Sequence, residues 1–262
     1  RVVQEYEPEM LVVVFDRPGK VFRHEMYPEY KANRKPMPEE MVEQLPRLRE
    51  LLEAWGVPVL EQDGVEADDI IATLARESSG RADRVWLYTG DKDFMQLLDD
   101  RVAMLKPGRR GDAPSELTAE DVRKEYGLDP TDLIQVFALS GDTADNIPGA
   151  PGVGDKTARK LIKEFGDLES LYEKLDKSKL TPRLKRVLGE NRDQVLLSRD
   201  LFTIKQDVEI EPDWDRYGTV LPTGKRVTAL LDELGLRRVL NLVGQVARQL
   251  PGLAGGGAEE LS

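Results

Sequence analysis

The sequence predicts an α/β fold: a parallel-sheet core with helices over residues 1–112, a helical region over 113–247 and a flexible tail over 248–262. Two observations carry this reading and a third locates a site. Short apolar, β-branched runs alternate with stretches of helical period as far as Leu105, the pattern of parallel strands joined by crossover helices. After about residue 112 the strand signals stop and short helices take over. Acidic residues follow the carboxyl ends of two of the apolar runs, the edge at which open α/β sheets bind ligands.

The elements follow in order. Leu11-Val12-Val13-Val14-Phe15 reads as a buried parallel strand ending at Asp16, and Arg17-Pro18-Gly19-Lys20 as a turn. Val21 to Tyr27 is expected to be extended, ahead of the polar stretch Pro28 to Pro38. Met41, Leu45, Leu48, Leu51, Leu52 and Trp55 recur at helical spacing, which predicts one helix from Glu39 to Trp55. Val57 to Leu60 is the next strand, closed by Asp63-Gly64, and Ile70, Ile71 and Leu74 mark the buried side of a helix over Glu66 to Glu77. Arg84 to Tyr88 predicts a strand, Thr89 to Asp93 leads into a helix through Leu98, and Val102 to Leu105 predicts a further short strand. The boundary falls at Asp112-Ala113-Pro114, and the glycine-rich end from Pro251 reads as a linker. Trp55, Trp86 and Phe94 read as core, His24 as an isolated histidine on a surface strand, and Trp214 carries no assigned role.

Composition narrows the chemistry. The 262 residues include no cysteine and one histidine, which excludes disulfides, thiolate metal sites and cysteine nucleophiles and leaves little room for histidine catalysis. No apolar run approaches the roughly 20 residues that span a bilayer, and no membrane partner is expected. Net charge is −11, but it is unevenly spread. Residues 17–35 carry six Lys/Arg against two Glu, and residues 156–186 carry ten against five acids. Two basic segments in an acidic chain suggest local phosphate contacts beside a carboxylate cluster.

The acids form four groups. Asp16 follows one strand, and Asp91 with Asp93 follows another. Glu66, Asp68 and Asp69 crowd a helix start, and Asp142 and Asp145 are one helical turn apart. Helix caps and strand ends use such residues without metal. Gathered together, eight carboxylates repel, and oxygen-only ligands suit Mg²⁺ or Mn²⁺. Two such ions about 3.5–4 Å apart can activate water and stabilise a leaving oxygen of a phosphodiester. Tyr30, Lys31 and Arg34, in a polar loop, fit nucleic acid through stacking and charge, or a solvated turn. The glycines of Pro148 to Thr157 fit close backbone approach to a phosphate, or an interhelical turn.

Five ordered segments resemble the 5′ nuclease domain of bacterial DNA polymerase I, the phage 5′ exonucleases and the flap endonucleases. They are Val14-Phe15-Asp16; Phe22-Arg23-His24-Glu25 through Tyr30-Lys31-Ala32-Asn33-Arg34; Gly64-Val65-Glu66-Ala67-Asp68-Asp69; Thr89-Gly90-Asp91-Lys92-Asp93; and Gly141 through Thr157. The resemblance runs through residues 11–165 and more weakly to about 245. It implies a PIN-like, Rossmann-like nuclease core and a helix-hairpin-helix. It also implies that Asp16, Glu66, Asp68, Asp69, Asp91, Asp93, Asp142 and Asp145 bind two or more Mg²⁺ or Mn²⁺ ions. Lys31 and Arg34 match the pair at the scissile phosphate, and Tyr30 an aromatic that stacks on a base, at the foot of a helical arch. Gly152, Gly154, Lys156, Thr157, Arg159 and Lys160, with Lys163, match the duplex-tracking hairpin, which holds K⁺. The implied partner is DNA with a 5′ flap or 5′ end, including an RNA primer on DNA. The implied protein is a bacterial cytoplasmic monomer, with a DNA polymerase fused or separate.

In one respect the sequence departs from the family. The family begins with a strand bearing a further metal-binding Asp, and the ten residues before Leu11 do not supply it. Two rival readings follow: a DNA-binding fragment impaired in catalysis, and a metal phosphohydrolase acting on small nucleotides. The hairpin and the basic loop argue against the second, because a small substrate needs no duplex-tracking surface.

Overall fold

The computed structural model describes residues 1–108 and 112–253. Elements are numbered along the chain, which divides into two compact units, each built from more than one stretch. The first comprises Arg1–Asp16, Lys35–Glu61 and the described chain from Glu209; the second comprises Arg17–Arg34 and Gln62–Val208. The units therefore cut across the sequential boundary expected near residue 112.

The first unit holds α1 (Val2–Tyr6), β1 (Val13–Val14), α3 (Glu39–Val42), α4 (Leu45–Trp55), β2 (Val59–Leu60), α12 (Lys225–Glu233) and α13 (Arg237–Gln249). β1 and β2 pair in parallel, Val13 opposite Val59 and Val14 opposite Leu60. The single helix expected over Glu39 to Trp55 is two helices, interrupted at Glu43 and Gln44. Pro46 accounts for the break: without an N–H it cannot bond the carbonyl of Val42, the last residue of α3. α4 ends at Gly56, whose φ of 85° only glycine adopts without cost. Trp55 is half-buried, not core, and donates from Nε1 to the carbonyl of Val220 (2.8 Å). At the far end α13 runs to Gln249 and a 3₁₀ turn covers Pro251–Leu253, so regular structure occupies residues 248 and 249 and 251–253 of the expected tail. Residues 254–262 lie outside the described ones.

The second unit holds α2 (Phe22–Met26), α5 (Ala67–Glu77), β3 (Val85–Tyr88), β4 (Val102–Lys106), β5 (Ser115–Leu117) and α6 (Ala119–Tyr126), and then α7 (Leu133–Ser140), α8 (Asp155–Phe165), α9 (Leu168–Lys174), α10 (Pro182–Glu190) and α11 (Arg192–Phe202). β3 and β4 are parallel, and β5 adds to β4 antiparallel. The segment expected to extend from Val21 is instead α2, whose first turn is closed by the Val21 N–H donating to Nδ1 of His24 (3.1 Å). His24 is thus a half-buried helix residue, edge-on to Tyr30. The helix expected after Asp93 is a 3₁₀ segment, Lys92–Leu97, with Phe94 buried as expected. Trp86 is only partly buried, its Nε1 donating to Glu116 on β5 (3.2 Å).

Two apolar cores fill this unit. One gathers Leu87, Met104, Phe94, Leu133, Phe137, Leu201 and Phe202 around the β3–β4 pair. The other packs Val136, Leu139, Leu161, Ile162, Leu168, Leu188 and Val195 between the later helices. α7 buries Leu133 and Phe137 in the first core and Val136, Ala138 and Leu139 in the second, and so faces both cores at once. α11 does the same through Val195 at one end and Leu201 and Phe202 at the other.

Candidate metal and nucleic-acid site

The second unit brings together the start of α5, the segment 29–34, the loop after β3 and the loop after α7. Glu66 is the N-cap of α5, and its backbone N–H donates to Oδ2 of Asp69 (3.2 Å). Beneath them lies Arg23 of α2, 2% exposed. Its Nη1 donates to Glu66 Oε2 (2.9 Å) and Asp69 Oδ2 (2.7 Å), and its Nη2 to Asp69 Oδ1 (2.8 Å). Burial works against the Arg23 charge, but Asp69 and Glu66 outweigh it and hold the guanidinium more firmly protonated than usual.

The segment 29–34 is stitched to the loop after α7. The Lys31 N–H donates to the Asp145 carbonyl (2.9 Å), Asn33 to the Thr143 carbonyl (2.6 Å), and Asn146 to the Glu29 carbonyl (2.6 Å). Lys31 takes a φ of 56°, a left-handed conformation that costs a non-glycine residue about 1 kcal/mol. Those bonds offset the strain and aim its Nζ at Glu66 Oε1, with Asp145 Oδ2 3.7 Å away. Arg34, half exposed, donates from Nε to Asp145 Oδ1 (2.9 Å) and from Nη2 to the same oxygen.

The loop after β3 supplies Asp91 and Asp93. Asp91 accepts from the Asp93 N–H (3.0 Å), which shapes the turn into the 3₁₀ segment. Oδ1 of Asp93 is shut off from solvent without a hydrogen-bond partner. Burial first, and then the charge of Asp91, pushes the Asp93 carboxyl up to about 7; Lys92 opposes this, while Asp142 and Asp145 add to it. Asp142 shows the opposite balance. Its burial is outweighed by the hydrogen bond from Lys92 (2.6 Å) and by the Ala144 N–H (2.7 Å), so its carboxyl lies below the usual range.

The hairpin between α7 and α8 is held from inside. Ala150 and Val153 are buried, while Gly152, with φ of 78°, and Gly154 are exposed at its tip. Gly141 and Gly149 press together: a Cβ on Gly149 would come within 2.4 Å of the Gly141 nitrogen, and one on Gly141 within 2.5 Å of the Gly149 nitrogen. Lys156 and Lys160 are exposed on the first turns of α8. Arg159 pairs with Asp155 (Nε to Oδ2, 2.8 Å) and lies 3.7 Å over the Tyr126 ring.

Two family models match the chain in succession: "5′-3′ exonuclease, N-terminal resolvase-like domain" over residues 1–127 and "5′-3′ exonuclease, C-terminal SAM fold" over residues 128–223. The chain belongs to the 5′-3′ exonuclease family. It is 39% identical over 242 residues to DNA polymerase I of Bacillus caldotenax, covering 92% of this chain and 27% of that protein. It is 42% identical over 245 residues to DNA polymerase I of Pseudomonas aeruginosa, covering 91% of this chain and 26% of that protein. The chain thus spans about a quarter of the length of these relatives. Among solved structures, a bacteriophage T5 flap endonuclease in a pseudo-enzyme-product complex with DNA and metal ions matches at 26% identity and a TM-score of 0.64, covering 94% of this chain and 87% of that one. A mixed α/β part with parallel strands and a helical region with the hairpin is the fold of this family.

Within that family fold, Glu66, Asp91, Asp93, Asp142 and Asp145 come close enough to share basic partners and to act on one another's charge. Asp68 is half-buried on the first turn of α5. Asp16 belongs to the first unit and the other seven acids to the second. Among the described residues no three such side chains already form a metal shell. Lys31, Arg34 and Lys92 lie against the carboxylates instead. Two residues occupy places the sequence reading did not foresee. Tyr30 is 4% exposed, with its hydroxyl on Glu66, so its ring presents no open face for a base to stack on. Asp69 is fully buried, and its carboxylate accepts from Arg23, the Glu66 N–H and the Lys205 N–H (2.8 Å), the work of a structural anchor. The reading also missed Arg23 and the Gly141–Gly149 contact. Arg23 sits inside a quoted motif, yet its carbonyl partners Leu201 and Thr203 are 178 and 180 residues away.

Proposed function

We propose that the chain hydrolyses phosphodiester bonds at the 5′ end, or at the base of a 5′ flap, of duplex DNA with the help of Mg²⁺ or Mn²⁺. In the cell this would remove RNA primers and displaced strands during replication and repair. The chain would act as a monomer, fused to or beside a DNA polymerase. The observation that carries the reading is the buried, unpartnered Oδ1 of Asp93 among Asp91, Asp142 and Asp145. An oxygen in that state is costly unless a cation takes it up, and hard divalent ions bind through such carboxylates. Asp91, Asp93, Asp142, Asp145, Glu66 and Asp68 are the residues that would hold the ions, with Asp16 as a further candidate. Bound there, the ions would neutralise the carboxylates and supply Lewis acidity toward phosphate and water.

The chain's own part is positioning and charge. Lys31 and Arg34, like Lys92, lie on the carboxylates and would be within reach of a phosphate entering that site. With a phosphate in the site, Lys31 and Arg34 would donate to its oxygens, where charge builds during displacement. The hairpin with Gly152, Gly154, Lys156, Thr157, Arg159 and Lys160 would track the duplex backbone without reading sequence. K⁺ at the hairpin belongs to the same proposal and rests on the family resemblance alone. Among the described residues no helix is long and apolar enough to cross a membrane.

The test is cleavage of a 5′-labelled flap duplex with Mg²⁺, with EDTA and Asp91→Ala as controls. Cutting near the junction that EDTA and Asp91→Ala both abolish is the expected result. Flap binding with no cutting would overturn it in favour of a binding module, and preferential hydrolysis of free nucleotides in favour of a small-molecule phosphohydrolase.

A further inference from the structure

Glu66 is held unsymmetrically. Its Oε2 accepts from Nη1 of Arg23 (2.9 Å) and from the hydroxyl of Tyr30 (3.0 Å), which lies farther from Oε1 (3.4 Å). Oε1 faces Nζ of Lys31, on the side where Asp145 also meets that lysine. One oxygen is thus gripped from the interior and the other is offered to the site.

The grip is rigid because nothing in it is spare. All five N–H groups of Arg23 are used: Nε on the Leu201 carbonyl (2.9 Å), Nη1 on Glu66 and Asp69, Nη2 on Asp69 and the Thr203 carbonyl (2.9 Å). Asp69 answers with two bonds on each oxygen, Arg23 and Lys205 on Oδ1, Arg23 and Glu66 on Oδ2. Moving Arg23 would strand a buried charge, which proteins tolerate poorly. Tyr30 is as well fixed: it is buried, and its ring meets His24 edge-on with centroids 5.6 Å apart.

We infer that Arg23 and Tyr30 are positioning residues that lock Oε2 of Glu66 and so present Oε1 as its metal-binding atom, with Asp69 as the anchor of Arg23. The inference rests on the proposed reading of Glu66 as a metal ligand. It gives Tyr30 a role through its hydroxyl, on Glu66, in place of the base stacking by its ring that the family resemblance implies. Partners that orient a ligating carboxylate commonly matter about 10–100-fold to metal affinity or activity.

Tyr30→Phe is the decisive variant, because it keeps ring and volume and removes one hydroxyl. Mn²⁺ binding to the DNA-free protein is read from the electron paramagnetic resonance signal of free Mn²⁺, and flap cleavage is followed against Mg²⁺ concentration. Tyr30→Phe is expected to weaken Mn²⁺ binding about tenfold and to shift cleavage to higher Mg²⁺. Flap affinity in EDTA should stay at the wild-type value. Arg23→Lys, if it folds, is expected to weaken Mn²⁺ further, since one ammonium cannot span both carboxylates. Tyr30→Phe behaving as wild type in both assays overturns the inference, and is what a stacking ring would give. Glu66→Gln separates the two layers. If it weakens Mn²⁺ while Tyr30→Phe does not, positioning fails and the ligand stands. If Glu66→Gln also binds Mn²⁺ normally, the ligand reading itself falls.

Discussion

Replacing Asp93 by asparagine sets the demands of stability and function against each other. The Asp93 carboxyl rises from its ordinary 3.8 to about 7, driven by burial and then by Asp91. At about 1.4 kcal/mol per unit, the roughly three-unit rise corresponds to about 4 kcal/mol. Asp93 is half-buried, so solvent screening brings the expected share nearer ~2 kcal/mol. The sign follows from linkage: a folded carboxyl that holds its proton more tightly adds stability below about pH 4 and loses it as pH rises to about 7. Asparagine carries no such charge. In EDTA, Asp93→Asn should therefore be more stable than wild type at pH 8, by ~2 kcal/mol in urea melts, with a clearly smaller gain at pH 5. Adding Mg²⁺ should raise the wild-type melting temperature more than that of Asp93→Asn, and the variant should lose cleavage. A variant less stable than wild type at pH 8 in EDTA, or equally stabilised at both pH values, would refute the assignment of an uncompensated negative charge.

Three further outcomes follow from the geometry. Gly149→Ala places a Cβ 2.4 Å from the Gly141 backbone, so it should cost about 2–4 kcal/mol in urea melts and lower duplex affinity; a change within about 0.5 kcal/mol would contradict the close approach. Lys31→Ala removes the cation on Glu66 Oε1 and should slow saturated cleavage about 100-fold or more while flap binding drops far less. Lys160→Ala should weaken duplex binding alike for unrelated sequences and reduce the slope of log K against log salt by about one, measured by fluorescence anisotropy.

Much of the site could be read from local sequence because its acids are announced locally. Asp91 and Asp93 follow a short apolar and aromatic run, Glu66 to Asp69 open a helix, and glycines mark the hairpin. These signals need only a few neighbouring residues to be seen. What escaped depends on distant partners. Tyr30 lies among polar residues and looks exposed, yet the folded chain buries it beneath Glu66. Asp68 and Asp69 are neighbours of like type; only the placement of Arg23 separates the half-buried one from the anchor. β5 was invisible because Ser115-Glu116-Leu117 holds one apolar residue, and its strand character comes from pairing with β4. α2 forms where the sequence predicts an extended segment, because the residue that closes its first turn, His24, gives no local signal of that role.

The sharing of α7 and α11 between two cores has a consequence for how the chain comes apart. The family's two sequence modules meet at residues 127 and 128, yet the core around β3 and β4 draws Leu133, Phe137, Leu201 and Phe202 from beyond that seam. A protein cut there would leave the sheet side lacking a wall, and the helical side with the apolar faces of two helices bare. The two stretches are matched by separate family models, but this unit should melt in a single cooperative transition, with the nuclease loops and the hairpin lost together.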